Sequence, residues 1–313
     1  MLGDDLQRAC SAASPRSSRG GGFRVPACAW VNGSFVSGDE PCLGFRERGF
    51  LYGDGLFETV RVYQGKPFAL KQHLARLREG CQVLKIPYPR EEIEKGLQEV
   101  LGSGELQEGT LRITVTRGEA GRGLLPSSDT KPTVVISAHV GEPYSAEAYE
   151  RGFRAVTVSF PRNQFSPLVS LKSLNFLENV LGRLEAAGCG ADEGIFLNLK
   201  GEVAEGTISN LFLVFPGDLI VTPHLESGIL PGITREIVIR LARERGFTVE
   251  EKAVFPEDFR RAQEAFLTNS LLEVMPLVAV DGREIDSGKP GCVAPLLRKA
   301  YQGYVFQSVA AGE

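Results

Sequence analysis

Histidine and cysteine are scarce in this chain and scattered along it. The three histidines, His73, His139 and His224, stand far apart, and the six cysteines, Cys10, Cys28, Cys42, Cys81, Cys189 and Cys292, form no C-x-x-C pair. No cluster therefore has zinc-ligand spacing, and no metal is expected. A chain this long does not need disulfide staples, so the thiols are expected to stay reduced, with the cytoplasm as the default location. No apolar run is long enough to cross a bilayer. Basic residues are not in excess: 35 Lys and Arg face 39 Asp and Glu, a net charge of -4, which argues against a nucleic-acid partner. The common nucleotide and nucleophile signatures are missing too. Gly53-Asp54-Gly55 is followed by Glu58 where a G-x-G-x-x-G loop needs its last glycine, and neither G-x-x-x-x-G-K-[ST] nor G-x-S-x-G occurs. Those gaps disfavour a dehydrogenase, an NTPase and an α/β-hydrolase.

What is present is an ordinary globular composition. The 313 residues are 42% hydrophobic and 24% charged, enough for two domains with real cores. The first 29 residues are polar and Gly/Ser-rich, lack the apolar segment of a secretory signal, and read as a disordered extension. From Trp30 onward the patterns alternate. Asn32-Gly33 marks a hairpin turn, GLFETVRVY and KPFALK read as strands around Gln64-Gly65, and Leu74, Leu77, Cys81 and Leu84 have helical spacing. A second helix follows near 91–101, then strands at TLRITVTRG and PTVVISAHV. The polar stretch 141–150 is the linker candidate. Beyond it come a strand (FRAVTVSF), a helix ending at Gly188, a hairpin (EGIFLNLKGEVAEG) and two strands in ISNLFLVFPGDLIVTP. An amphipathic helix with Gly246 at its end, a short helix (FPEDFRRA), three further strands and a terminal helix complete the chain. The class is α+β, with a small domain over 30–140 and a larger one over 151–313.

Single residues say little by themselves. Lys172 sits at a strand-to-helix junction between Leu171 and Ser173–Leu174, where apolar company can lower an amine pKa, although most such lysines reach solvent. Glu205 reads alone as a turn carboxylate, and Arg76 as a solvated helix residue. The segment GITR (232–235) opens a helix, whose free N–H groups suit phosphate, as many helix starts do.

The ordered set of segments is more telling. RGFLYGDGLFETVRVYQGKPFALKQHLARL (48–77), TLRITVTRG (110–118), LKSLNFLENVLGRLEA (171–186), DEGIFLNLKGEVAEGTISNLFLV (192–214), TPHLESGILPGITR (222–235) and TNSLLEVMPL (268–277) together resemble the class IV aminotransferase superfamily. These are the fold-type IV enzymes of pyridoxal 5′-phosphate (PLP), which include branched-chain and D-amino-acid aminotransferases and 4-amino-4-deoxychorismate lyases. The resemblance implies a small N-terminal α/β domain, a larger C-terminal pseudo-barrel domain, and a homodimer. It also implies that Lys172 carries PLP as a Schiff base and then moves the substrate's α-proton, while Glu205 pairs with the pyridine nitrogen so that the ring can accept electrons. Arg76, the backbone at Ile233 and Thr234, and Ser270 are implied phosphate ligands.

For the substrate, Arg117 resembles the carboxylate-binding arginine of D-amino-acid aminotransferases, and Arg112 stands where branched-chain enzymes carry a functional arginine. Five positions apart on a strand they point to opposite faces, so only one is expected at the site, and Arg117 is preferred. Tyr52 is a candidate pocket wall. Thr59 and Phe176 depart from the branched-chain pattern, which usually has glycine and tyrosine there. The expected reaction is amino transfer between an α-amino acid, branched-chain or D-, and a 2-oxo acid. The alternative is elimination of pyruvate from 4-amino-4-deoxychorismate.

Overall fold

The structure, a computed structural model, describes residues 28–37, 42–104, 106–121, 123–127 and 129–311. The expected N-terminal extension lies outside these residues except for its last two. The chain forms two compact units. One contains the residues up to Pro143, Lys172–Asn175 and the chain end from Ser308; the other contains Tyr144–Leu171 and Phe176–Gln307.

The first unit is built on a six-stranded antiparallel sheet, β2-β1-β6-β5-β3-β4. Its strands are β1 (Cys28–Val31), β2 (Ser34–Ser37), β3 (Gly55–Tyr63), β4 (Lys66–Pro67), β5 (Gly109–Thr116) and β6 (Thr133–Val140). Asn32 (φ 44°) and Gly33 (φ 100°) form the tight turn that joins β1 to β2, a left-handed pair that Asn-Gly supplies at little cost. Strand alternation turns Leu56, Glu58, Val60 and Val62 of β3 and Leu111, Ile113 and Val115 of β5 to one face, all buried. Helices α2 (Leu70–Leu84) and α3 (Arg90–Gly102) bring their apolar positions, among them Leu77, Cys81, Ile93, Leu97 and Val100, to the buried interior of this unit. KPFALK was expected to be all strand. Only Lys66 and Pro67 pair, because Ala69 turns left-handed (φ 53°) and Leu70 begins the helix. A short helix with no forecast in the sequence, α1 (Arg48–Tyr52), precedes β3.

The second unit carries a nine-stranded mixed sheet in the order β12-β11-β10-β13-β14-β7-β8-β9, with β15 on β14. Its strands run β7 (Phe153–Thr157), β8 (Glu193–Leu197), β9 (Val203–Gly206), β10 (Asn210–Phe215), β11 (Leu219–Pro223), β12 (Thr248–Lys252), β13 (Glu264–Asn269), β14 (Glu273–Val280) and β15 (Arg283–Glu284). Parallel pairing needs a crossover. Helix α5 (Leu177–Gly188) supplies it between β7 and β8, and α6 (Ile233–Glu244) between β11 and β12. The sheet curls into a half-barrel: Gly206 at the end of β9 donates to the Ser209 carbonyl just before β10, at 2.7 Å. Phe153, Ile195, Leu211, Leu213, Leu267 and Met275 fill its core. The fold is therefore the α+β arrangement expected, a smaller N-terminal sheet domain and a larger C-terminal one. The linker candidate is not a bare linker: α4 (Ala146–Arg151) forms there, and Tyr144 meets Phe153 edge-on at 5.7 Å. FPEDFRRA makes a 3-10 turn over Pro256–Arg260, and α7 (Val293–Ala311) closes the chain.

Candidate active site

Lys172 is positioned by backbone hydrogen bonds to β3. The Phe57 N–H donates to the Lys172 carbonyl at 2.9 Å, the Leu174 N–H donates to the Gly55 carbonyl at 2.9 Å, and Ser173 bridges to Leu56. The K-S-L segment thus acts as a short extra strand, which is why it joins the first unit although the chain around it belongs to the second. The Lys172 amine lies 4.6 Å from the centre of the Phe57 ring. The Arg112 guanidinium lies 3.9 Å from the same ring. Thr59, not Phe57, is directly opposite Arg112 across the β3–β5 ladder, so the contact is the diagonal one that long side chains reach.

Arg112 and Arg117 differ sharply in what they touch. Arg117 donates through Nε and Nη2 to Asp54 at 2.8 and 3.1 Å, through Nη2 to the Leu84 carbonyl at 2.7 Å, and through Nη1 to the Lys85 carbonyl at 2.8 Å. It lies just past the end of β5 and ties the α2 C-terminus to the turn before β3. Its donors are therefore engaged by Asp54 and by the two carbonyls at the end of α2. Among the described residues Arg112 makes no hydrogen bond or ion pair, and desolvation pulls its pKa down. Tyr52, at the end of α1, is 40% exposed and stacks on Arg48 at 4.9 Å. Arg48 in turn bonds Asp54 and the carbonyls of Gly123 and Leu124, so Tyr52 lies against a structural clamp.

Arg76 is not the solvated residue that its helix position suggested. Its Nε and Nη2 donate to the two oxygens of Glu58 at 2.8 and 2.7 Å, a forked pair, and its side chain is only 13% exposed. His73, one turn earlier, shares Glu58 through Nδ1 at 2.7 Å. Burial raises the Glu58 carboxyl, but the bonds and charge of Arg76, then those of His73, outweigh it and bring the pKa to about 2. Burial pulls His73 below its ordinary range, against the raising effect of Glu58. A neutral His73 gives Glu58 a hydrogen bond from Nδ1–H, while Arg76 supplies the ion pair. The signal for this cluster was in the sequence: histidine and arginine three apart share a helix face, and Glu58 stands on the strand that α2 follows.

Glu205, on β9, is buried and held from three sides. Arg162 Nη1 donates to Oε1, while Asn210 Nδ2 at 3.1 Å and the Leu230 N–H at 3.0 Å donate to Oε2. The turn joining β9 to β10 is fixed by Glu193, which is fully buried. That carboxylate accepts from the Thr207 hydroxyl, from the N–H of Thr207 and Gly194 at 3.1 and 2.9 Å, and from the Ser209 hydroxyl at 2.9 Å. Asn210 also donates to the Leu230 carbonyl at 3.0 Å, which binds Glu205 to the loop leading into α6. Gly232 is required there, because a Cβ would sit 2.0 Å from Asn210 Oδ1. Helix α6 has no side-chain cap at its N-terminus, where Ile233 and Thr234 lie buried; Thr234 shares a hydrogen bond with Tyr301 of α7. Ser270 begins the turn after β13. Asn269 holds that turn by accepting from the N–H of Leu271 and Leu272 at 2.7 and 2.6 Å, and it donates to the Ile208 carbonyl at 2.8 Å. Arg162 and Glu193 were missed in the sequence: Arg162 falls in the irregular stretch after β7, and Glu193 looked like any strand-start acid.

The amino-transferase class IV family matches residues 55–280, a span that includes Lys172, Glu205, Arg76 and Arg112. The chain belongs to that family. It is accordingly an enzyme of the fold-type IV group. A branched-chain-amino-acid aminotransferase of Pseudomonas aeruginosa is 34% identical over 281 residues, covering 87% of this chain and 91% of that one. An aminodeoxychorismate lyase of Bacillus subtilis is also 34% identical, over 256 residues, 80% of this chain and 86% of the relative. Among solved class IV structures, a T.th. branched-chain amino acid aminotransferase with pyridoxamine 5′-phosphate superposes with a TM-score of 0.82. That structure is 32% identical and covers 90% of this chain and 95% of its own.

Proposed function

We propose that this class IV enzyme uses pyridoxal 5′-phosphate to move an amino group from an α-amino acid to a 2-oxo acid. The observation that carries the reading is the Phe57 ring with two cations over it, the Lys172 amine at 4.6 Å and the Arg112 guanidinium, unpaired among the described residues, at 3.9 Å. An amine that moves an α-proton and a cation for the substrate's carboxylate are the two groups such a transfer needs.

The residues fit the cofactor. The N-terminus of α6 has no side-chain cap, which suits a phosphate, and Thr234 and Ser270 would add hydroxyl donors. Arg76 is the cation that the family resemblance adds to that set. Glu205, anchored by Asn210, Leu230 and Arg162, suits a ring nitrogen. When bound, PLP supplies an electron-accepting ring that stabilises charge at the substrate's α-carbon. Lys172 Nζ would hold the group and, once released from it, take the proton from the α-carbon and return it as general acid. Glu205 holds a proton at the ring nitrogen. Arg112 orients the substrate through its carboxylate. Tyr52 lies against Arg48, and Arg117 is engaged by Asp54, Leu84 and Lys85, so the proposed reaction gives neither a direct part.

Two copies of the chain are the expected working form. Leu177, Val180, Leu181 and Leu184 make an exposed apolar stripe along α5, which a second copy would cover. A reducing cytoplasm suits Cys42, Cys81, Cys189 and Cys292, which are free thiols.

A second reading, release of pyruvate from 4-amino-4-deoxychorismate, has its own support. Phe176 and Thr59 depart from the branched-chain pattern, and the Bacillus subtilis lyase is as similar as the Pseudomonas aeruginosa aminotransferase. The test is a panel of L- and D-amino acids with 2-oxoglutarate or pyruvate, run beside aminodeoxychorismate without acceptor. Amino transfer with no sustained pyruvate release supports the transaminase. Sustained acceptor-free release would replace it with the lyase.

A further inference from the structure

Arg162 carries no motif, yet the fold delivers it to Glu205. Its N–H donates to the Leu197 carbonyl at 2.8 Å, and it bridges in parallel to Asn198, just past β8. The side chain is 4% exposed, lies 4.2 Å from the centre of the Phe196 ring and donates from Nη1 to Glu205 Oε1. Its Nε is 3.2 Å from Glu178 but is not aligned for a hydrogen bond. Glu178 is 40% exposed and screened by water, whereas Glu205 is 8% exposed. The charge of Arg162 is therefore felt chiefly at Glu205.

A proton shared by a carboxylate and a pyridine nitrogen stays on the more basic partner. A buried carboxylate without a cation has a raised proton affinity. We propose that Arg162 is a positioning residue that keeps this shared proton on the cofactor's ring nitrogen by holding down the proton affinity of Glu205. Without the guanidinium the proton passes from the ring N–H to a Glu205 oxygen. The ring then becomes neutral and loses its pull on electrons from the α-carbon. The inference rests on the reading that Glu205 meets the ring nitrogen of PLP.

The test loads the full chain with PLP labelled with nitrogen-15 in the ring and records the ring-nitrogen resonance of the parent, Arg162→Lys and Arg162→Gln. The parent and the lysine variant, which retain a cation, should show a pyridinium nitrogen. The glutamine variant keeps a hydrogen-bond donor without charge. Its nitrogen should shift toward neutral pyridine, and α-proton removal in a single turnover should slow at least tenfold at equal cofactor occupancy. A pyridinium nitrogen in Arg162→Gln overturns the proposal. Should that variant not fold, Arg162→Lys decides: a neutral nitrogen there overturns it, and a pyridinium nitrogen supports it. Failure of the parent to bind PLP at Lys172 would instead overturn the reading on which the inference rests.

Discussion

Each compact unit buries a carboxylate against an arginine, but the two pairs work in opposite senses. In the first unit Glu58 is almost wholly enclosed and takes both arms of the Arg76 fork, with His73 as a third partner. The carboxylate there fixes the arginine. In the second unit Glu205 accepts from Arg162 and from two amide donors, Asn210 Nδ2 and the Leu230 N–H. Here the arginine conditions the carboxylate. A buried ion pair adds little net stability when intact and costs much when broken, so in both places it is better read as fixing a geometry than as strengthening the fold.

Four substitutions separate these roles, in descending order of expected effect. Lys172→Ala removes the amine that both readings of the reaction require. Turnover should fall by about a thousandfold or more, in line with loss of a general acid–base group. The proposed phosphate ligands are left intact, so PLP should still bind non-covalently. Borohydride reduction and mass spectrometry should find the pyridoxyl adduct at position 172 in the parent only, and wild-type rates in the variant would exclude the lysine.

Glu58→Gln tests the unit in which the carboxylate fixes the arginine. Leaving Arg76 without its buried partner should cost about 3–5 kcal/mol in urea unfolding at neutral pH. Glu58 is held at about 2, below its ordinary 4.5, so its contribution is complete above 4.5 and is lost as pH falls toward 2. The gap between parent and variant should therefore narrow over that window. His73 is also depressed, so the unfolded chain takes up its proton first and stability begins to fall below about 6.5. A gap that stays constant down to pH 2 would mean that Glu58 is not the ionised anchor.

The smallest expected effect separates the two arginines of the substrate reading. Arg112→Lys should raise KM for the amino acid by about tenfold, as loss of the guanidinium's forked contact would, with little change in melting temperature. Arg117→Ala should do the reverse. It should lower stability by about 1–3 kcal/mol through loss of its bonds to Asp54, which keeps Arg48, and to the carbonyls of Leu84 and Lys85, leaving KM for the carboxylate close to that of the parent. If KM responds to Arg117 instead, the assignment drawn from their contacts is wrong.

The sequence determined most of the elements and the family to which the chain belongs. Local patterns carry that information: alternation in GLFETVRVY, helical spacing from Leu74 to Leu84, the Asn32-Gly33 turn, and the ordered motifs around Lys172, Glu205 and Gly232. Where it was silent, the deciding contact was distant along the chain. Alternation separates the faces of Arg112 and Arg117, but it is Asp54, Leu84 and Lys85, far away in sequence, that occupy Arg117. Only the tertiary structure decided that the K-S-L segment pairs with β3, that Glu58 rather than water holds Arg76, and that Arg162 reaches Glu205. Periodicity reports which way a side chain leaves its own strand or helix; what it then meets depends on how remote segments pack.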